Sequence, residues 1–102
     1  MLERIKVLIQ TFITNRRVAR GALLLDGADT NWFKFVNARS IDMASPYKDV
    51  LGQWKGHYSK GLQKLHIVDG WRALQYGFVV DRWSPAELLN HKWGEEMKKR
   101  PK

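Results

Sequence analysis

In the middle of the chain Leu51, Trp54, Tyr58, Leu62 and Leu65 recur at steps of three and four residues, which places them on one face of an α-helix. Ser45-Pro46 stands ahead of the run. A serine oxygen can accept from the unpaired N–H groups of a first helical turn, and a proline there gives up no hydrogen bond. The spacing therefore predicts a central helix over residues 45–66. Gly52, Gly56 and Gly61 fall inside it, each costing up to about 1 kcal/mol against Ala. They are expected to admit another backbone at close range; the alternative is a break near Gly56 or Gly61.

Both ends of the chain also read as helical. Ser84-Pro85-Ala86-Glu87 has the pattern of a capping box opening a helix over 84–98, with Leu88, Leu89, Trp93 and Met97 as its apolar face. Lys98-Lys99-Arg100 complement the negative end of that helix, and residues 99–102 are expected to form a flexible basic tail. In the N-terminal helical region, 1–26, Leu2, Ile5, Ile9 and Phe12 follow 3-4-3 spacing, widened by Leu8 and Ile13. This stripe can serve the domain's own core or a dimer. Asn15-Arg16-Arg17 marks an expected boundary, after which helix resumes from Val18 to Leu25 and ends at the turn Asp26-Gly27-Ala28-Asp29. Residues 31–42 fit a short strand or a helical turn equally well. Asp69-Gly70-Trp71 opens a short helix closed by Gly77, and Phe78-Val79-Val80 reads as extended.

The expected fold is thus mainly α, a compact single domain of about four helices, with a minor short β pair near 32–36 and 78–80 as an addition. The 102 residues leave no room for a second core. There is no cysteine, so disulfides, thiolate metal sites and cysteine nucleophiles are all excluded. No apolar stretch approaches the roughly 20 residues of a membrane span, and polar Gln10 and Thr11 interrupt any signal-peptide core. The expectation is a cytoplasmic protein without a membrane partner.

The segments Gly21-Ala22-Leu23-Leu24-Leu25-Asp26, Val50-Leu51-Gly52-Gln53 with Gly56 and Tyr58, and Tyr76-Gly77-Phe78 resemble a family of small uncharacterised proteins from bacteriophages and bacterial, often actinobacterial, genomes. Trp32, Ile41-Asp42-Met43, Gly61-Leu62 and the terminal-helix residues Leu88, Leu89 and Trp93 extend the resemblance over roughly residues 20–97. Family members often carry Cys where this chain has Asp49. The resemblance implies a shared fold and a phage or prophage origin. It implies no activity and transfers no catalytic residue.

No motif in the chain supports an enzyme. His57, His66 and His91 are dispersed, and Glu87, His91 and Glu95 share a helix face that is more simply a solvated one. Ser40, Ser45, Ser59 and Ser84 lack a nucleophile-elbow context, and no glycine-rich phosphate loop is present. No cofactor and no metal is expected.

Charge and aromatics point instead to binding. The net charge is +8, of which residues 1–24 and 84–102 supply +6. Arg16, Arg17 and Arg20, with Lys98, Lys99 and Arg100, are the candidate phosphate contacts for DNA or RNA. Five tryptophans in so short a chain are the second signal. Trp32, Trp71 and Trp83, interleaved with basic residues, are the candidate anchors for a protein partner. The first expectation is a non-enzymatic accessory protein that engages host machinery through an aromatic surface with a basic rim. Direct nucleic-acid binding is the second. A small-molecule binder or enzyme, gathering His57 or His66 with a carboxylate, is the third. A homo-oligomer is compatible with all three.

Overall fold

A computed structural model describes residues 2–101. Its first helix, α1 (Leu2–Ala28), passes through Asn15-Arg16-Arg17 without the expected break. None of these residues is a helix breaker, and the turn is held by its own side chains. The hydroxyls of Thr14 and Ser84 hydrogen-bond at 2.9 Å, and Arg17 Nη1 donates to the Ser84 oxygen at 2.9 Å. At about 1.5 Å per residue α1 is about 40 Å long, close to the longest dimension of the molecule, 42 Å.

The central segment differs from the single helix predicted over 45–66. It forms α2 (Val50–Lys55) and α3 (Tyr58–Lys64), separated at Gly56, whose φ of 92° is left-handed. Ser45-Pro46 does not start the first of them. Asp49 does, accepting from the N–H of Gly52, while the Pro46 carbonyl accepts from the N–H of Tyr58 at 2.8 Å. The close approach expected of the glycines is real at two of them: Gly52 lies against the Pro46–Tyr47 backbone and Gly61 against Leu51. Despite the break the apolar stripe stays inward, with Leu51, Trp54 and Leu65 buried and Tyr58 and Leu62 packed on the core.

A short helix α4 (Gly70–Gln75) follows, begun by Asp69, which accepts from the N–H of Arg72 at 2.7 Å. The final helix is α5 (Ala86–Lys98), two residues shorter at its start than predicted. Ser84 does not cap it, because its hydroxyl is taken by Thr14 and Arg17 and its N–H by Asp81 Oδ1 at 2.8 Å. Trp32–Phe35 and Ala38–Ser40 are 3-10 helices, and 78–80 has no regular structure. No strand occurs among the described residues, so the minor β pair is absent there.

The second half of α1 and α5 run parallel. Thr14 meets Ser84, Gly21 meets Trp93 and Asp26 meets Arg100, in the same order along both helices. Between them sits Trp93, fully buried, its indole N–H donating to the Gly77 carbonyl at 2.8 Å. Phe78 stacks on it at 5.6 Å and Trp32 meets it edge-on at 6.0 Å. The end of α1, which runs on to Ala28 instead of turning from Asp26 as expected, satisfies two further indoles: Asp26 accepts from Trp32 at 2.8 Å and Asp29, just past the helix, from Trp54 at 3.0 Å.

The basic tail expected at 99–102 is not free at Arg100. Its side chain is 13% exposed and pairs with Asp26 at 2.7 Å and Glu96 at 3.2 Å. Lys102 lies outside the described residues.

A Cβ at position 21 would overlap the Tyr76 carbonyl oxygen and stand 3.0 Å from Trp93. Gly21→Ala is therefore expected to destabilise the fold by about 1–3 kcal/mol, the usual cost of overpacking. Thermal unfolding followed by circular dichroism checks this, and an unchanged midpoint contradicts it.

Candidate functional site

Helix α1 has two apolar faces, and only one of them meets the body of the protein. Thr14, Val18, Gly21, Ala22 and Leu25 are buried. At about 100° per residue, Leu2, Ile5, Ile9 and Phe12 lie about 120–180° around the helix from Val18. They therefore face away from the body. Their exposures are 84%, 49%, 41% and 60%, and neighbouring Leu8 is 70% exposed. The side-chain hydrogen bonds between α1 and the body begin at Gln10, whose amide donates to the Arg82 carbonyl at 2.7 Å. The N-terminal stripe, left open in sequence between core and dimer, is not part of the core.

Beyond Phe12 the same face becomes basic. Arg16 and Arg20 are exposed, and the Arg16 guanidinium sits 5.8 Å from the Phe12 ring centre. Arg17 points the other way, into an ion pair with Asp81 at 3.0 Å. Of the C-terminal candidates, Lys98 is exposed, Lys99 pairs with Glu96 at 2.9 Å and Arg100 is held by Asp26. The six candidate phosphate contacts therefore do not act alike. Arg17 and Arg100 hold the fold together, and Arg16, Arg20 and Lys98 have no ion pair among the described residues.

The aromatic trio is also divided. Trp32 is fully buried, so it cannot anchor a partner; its N–H goes to Asp26 and its ring lies under the Arg100 guanidinium at 5.2 Å. Trp83 is half-buried with Arg82 over its ring at 5.3 Å. Trp71 alone of the three is largely exposed, at 66%. The sequence signal that identifies the outward surface is the phase of two sets on one continuous helix: Leu2, Ile5, Ile9 and Phe12 fall on the side opposite Val18, Ala22 and Leu25.

Among the described residues no three His, Asp or Glu side chains gather as a metal site. His57 caps α3, taking the N–H of Ser59 at 3.1 Å, and stands edge-on to Tyr47. His91 reaches Glu95 at 2.7 Å on the exposed side of α5. Neither His57 nor His66 pairs with a carboxylate among the described residues.

One buried carboxyl stands apart. Asp49 lies beside an open cleft of about 390 Å³ lined by Ser45, Tyr58, Phe78 and Val79. Burial pushes its pKa up to about 7, the Gly52 N–H opposes that shift, and Asp42 adds to it. Asp26 shows the reverse: the hydrogen bond from Arg100 holds its carboxyl below the usual range.

Comparison with protein-family models, with curated proteins and with solved structures finds no match to this chain.

The raised pKa of Asp49 has a stability consequence. In the unfolded chain an aspartate titrates near 3.8, whereas in the fold Asp49 holds its proton to about pH 7. Its contribution is therefore complete below about pH 4 and is lost as pH rises through 7. Asp49→Asn keeps an acceptor for the cap and has no charge to bury. The variant is expected to match the parent near pH 4.5 and to exceed it at pH 8, by an amount on the order of a few kcal/mol. Thermal melts of both proteins at the two pH values test this. A stability difference independent of pH overturns it.

Proposed function

We propose that this is a non-enzymatic binding protein of the phage- or prophage-accessory type. In this reading it acts in the cytoplasm of a bacterial host and docks on a protein of the host machinery through the outward face of α1. The observation that carries this reading is the exposure of Leu2, Ile5, Ile9 and Phe12 on one side of α1, flanked by exposed Leu8, on a stretch that precedes the buried part of the helix and is exposed on every side from Leu2 to Ile9. An apolar patch of that kind on a small protein marks an interaction site. Anchors at i, i+3, i+7 and i+10 suit insertion of a helix into an apolar groove of a partner. Arg16 and Arg20 supply the basic rim, and Trp71 is the member of the aromatic trio left as a contact. No helix among the described residues is long and apolar enough to cross a membrane, which favours a protein partner over insertion.

Direct nucleic-acid binding is the second reading, supported by the exposed Arg16, Arg20 and Lys98, without an ion pair among the described residues, and by the net charge of +8. It leaves the apolar side chains without a role.

Affinity capture from host extract, with and without nuclease, separates the two. A partner retained after nuclease and lost with Ile5→Glu/Phe12→Glu is the expected result. Because both positions are exposed, the double variant should keep its melting behaviour, surface changes being within about 0.5 kcal/mol each. Capture that disappears with nuclease, or that survives the double substitution, overturns docking through this face.

A further inference from the structure

We propose that the outward face of α1 pairs with the same face of a second copy of this chain, the two helices lying antiparallel. This goes beyond docking on a host protein, since it needs no outside partner, although both would use one surface.

The spacing supports self-pairing. Leu2, Ile5, Ile9 and Phe12 repeat at 3-4-3, the seam of helices that interlock side chain into gap, and Leu8 flanks that seam. The structure leaves all five exposed, and the four seam residues on the side away from the body, so a second helix can approach without displacing anything. The charge pattern argues against a polyanion or a lipid surface as the occupant. Helices that lie on anionic membranes carry many Lys and Arg along the polar face. Here residues 2–12 hold Arg4 and Lys6 against Glu3, and the stronger basic group, Arg16 and Arg20, lies beyond the seam.

Direction follows from Arg16, the next position in the repeat. Parallel helices would set Arg16 against Arg16 in one layer and bring the basic bodies of two chains, each chain of net charge +8, to the same end. Antiparallel helices layer Leu2 on Phe12 and Ile5 on Ile9. Arg16 of one copy then does not face Arg16 of the other, and the bodies sit at opposite ends.

Area sets the strength. The exposed parts of the five side chains amount to something on the order of 500 Å² per copy. A standard specific interface takes roughly 800 Å² per partner, and smaller ones are weak or transient. The dimer is therefore reversible, with dissociation in the micromolar range or weaker.

Sedimentation of the purified chain from about 1 µM to about 1 mM tests this directly. The expected result is a mass rising from monomer toward dimer, with equal or tighter association as salt screens the basic bodies. Ile9→Glu should weaken association at least about 30-fold while leaving the thermal melt unchanged. The chain has no cysteine, so pairs of introduced ones report direction. Leu2→Cys mixed with Phe12→Cys should cross-link to each other in preference to Leu2→Cys with itself. A monomer throughout the range, association indifferent to Ile9→Glu, or preferential Leu2→Cys self-linkage overturns the antiparallel dimer. So does a chain that stays monomeric yet sediments with vesicles of anionic phospholipid. None of these results bears on capture of a host protein, which fails or holds by its own experiment.

Discussion

Everything else in the fold is arranged around the burial of one indole. Trp93 fills the space between α1 and α5 because position 21 has no side chain, and Gly77, turned left-handed at φ 73°, offers its carbonyl to the indole N–H. Phe78 and Trp32 complete the enclosure. Aromatic contacts of this kind add roughly 0.5–1.5 kcal/mol beyond the area they bury. The larger effect is geometric. With Trp93 in place α5 can lie along α1 at only one height, and the polar pairs at either end, Thr14 with Ser84 and Asp26 with Arg100, are brought into register.

Two acidic residues show how differently the same side chain can be used. Asp26 is exposed enough to stay charged and accepts from both Trp32 and Arg100, so it links an aromatic of the core to the end of the last helix. Asp49 is buried without a cation. Its side chain accepts from the N–H of Gly52 and begins α2, while burial pushes its pKa up to about 7. Burying its charge works against the fold as pH rises, although the same side chain caps the helix.

Much of the helical content was legible in the sequence, because periodicity and turn residues act locally. The stripe from Leu51 to Leu65, the Asp69 start of α4 and the close packing at Gly52 and Gly61 are present as read, while α1 runs through the expected turn at Asp26 and ends at Ala28. The departures have a common cause. Ser84 looks like a cap until Thr14, seventy residues away, takes its hydroxyl. Arg100 looks like a solvated tail until Asp26 is beside it, and Trp32 looks like an exposed anchor until Trp93 and Asp26 enclose it. At Gly56 the deciding feature is local, a left-handed residue ending one helix and separating it from the next, and that break is the alternative that the sequence itself leaves open. The outward face of α1 was half legible. Its 3-4-3 spacing was plain, but its direction depends on which side of the same helix Val18, Ala22 and Leu25 choose for the body.

The pairing of the first helix with the last also sets an order of events during synthesis. Gln10, Thr14, Arg17 and Asp26 all find partners between residues 81 and 100. At about 5–20 residues per second, α1 spends several seconds outside those contacts while the rest of the chain is made. Through that interval both of its apolar sides are bare, the one that will become core and the one that never does. The nascent chain is thus most adhesive early, before the segment that shields half of its first helix exists.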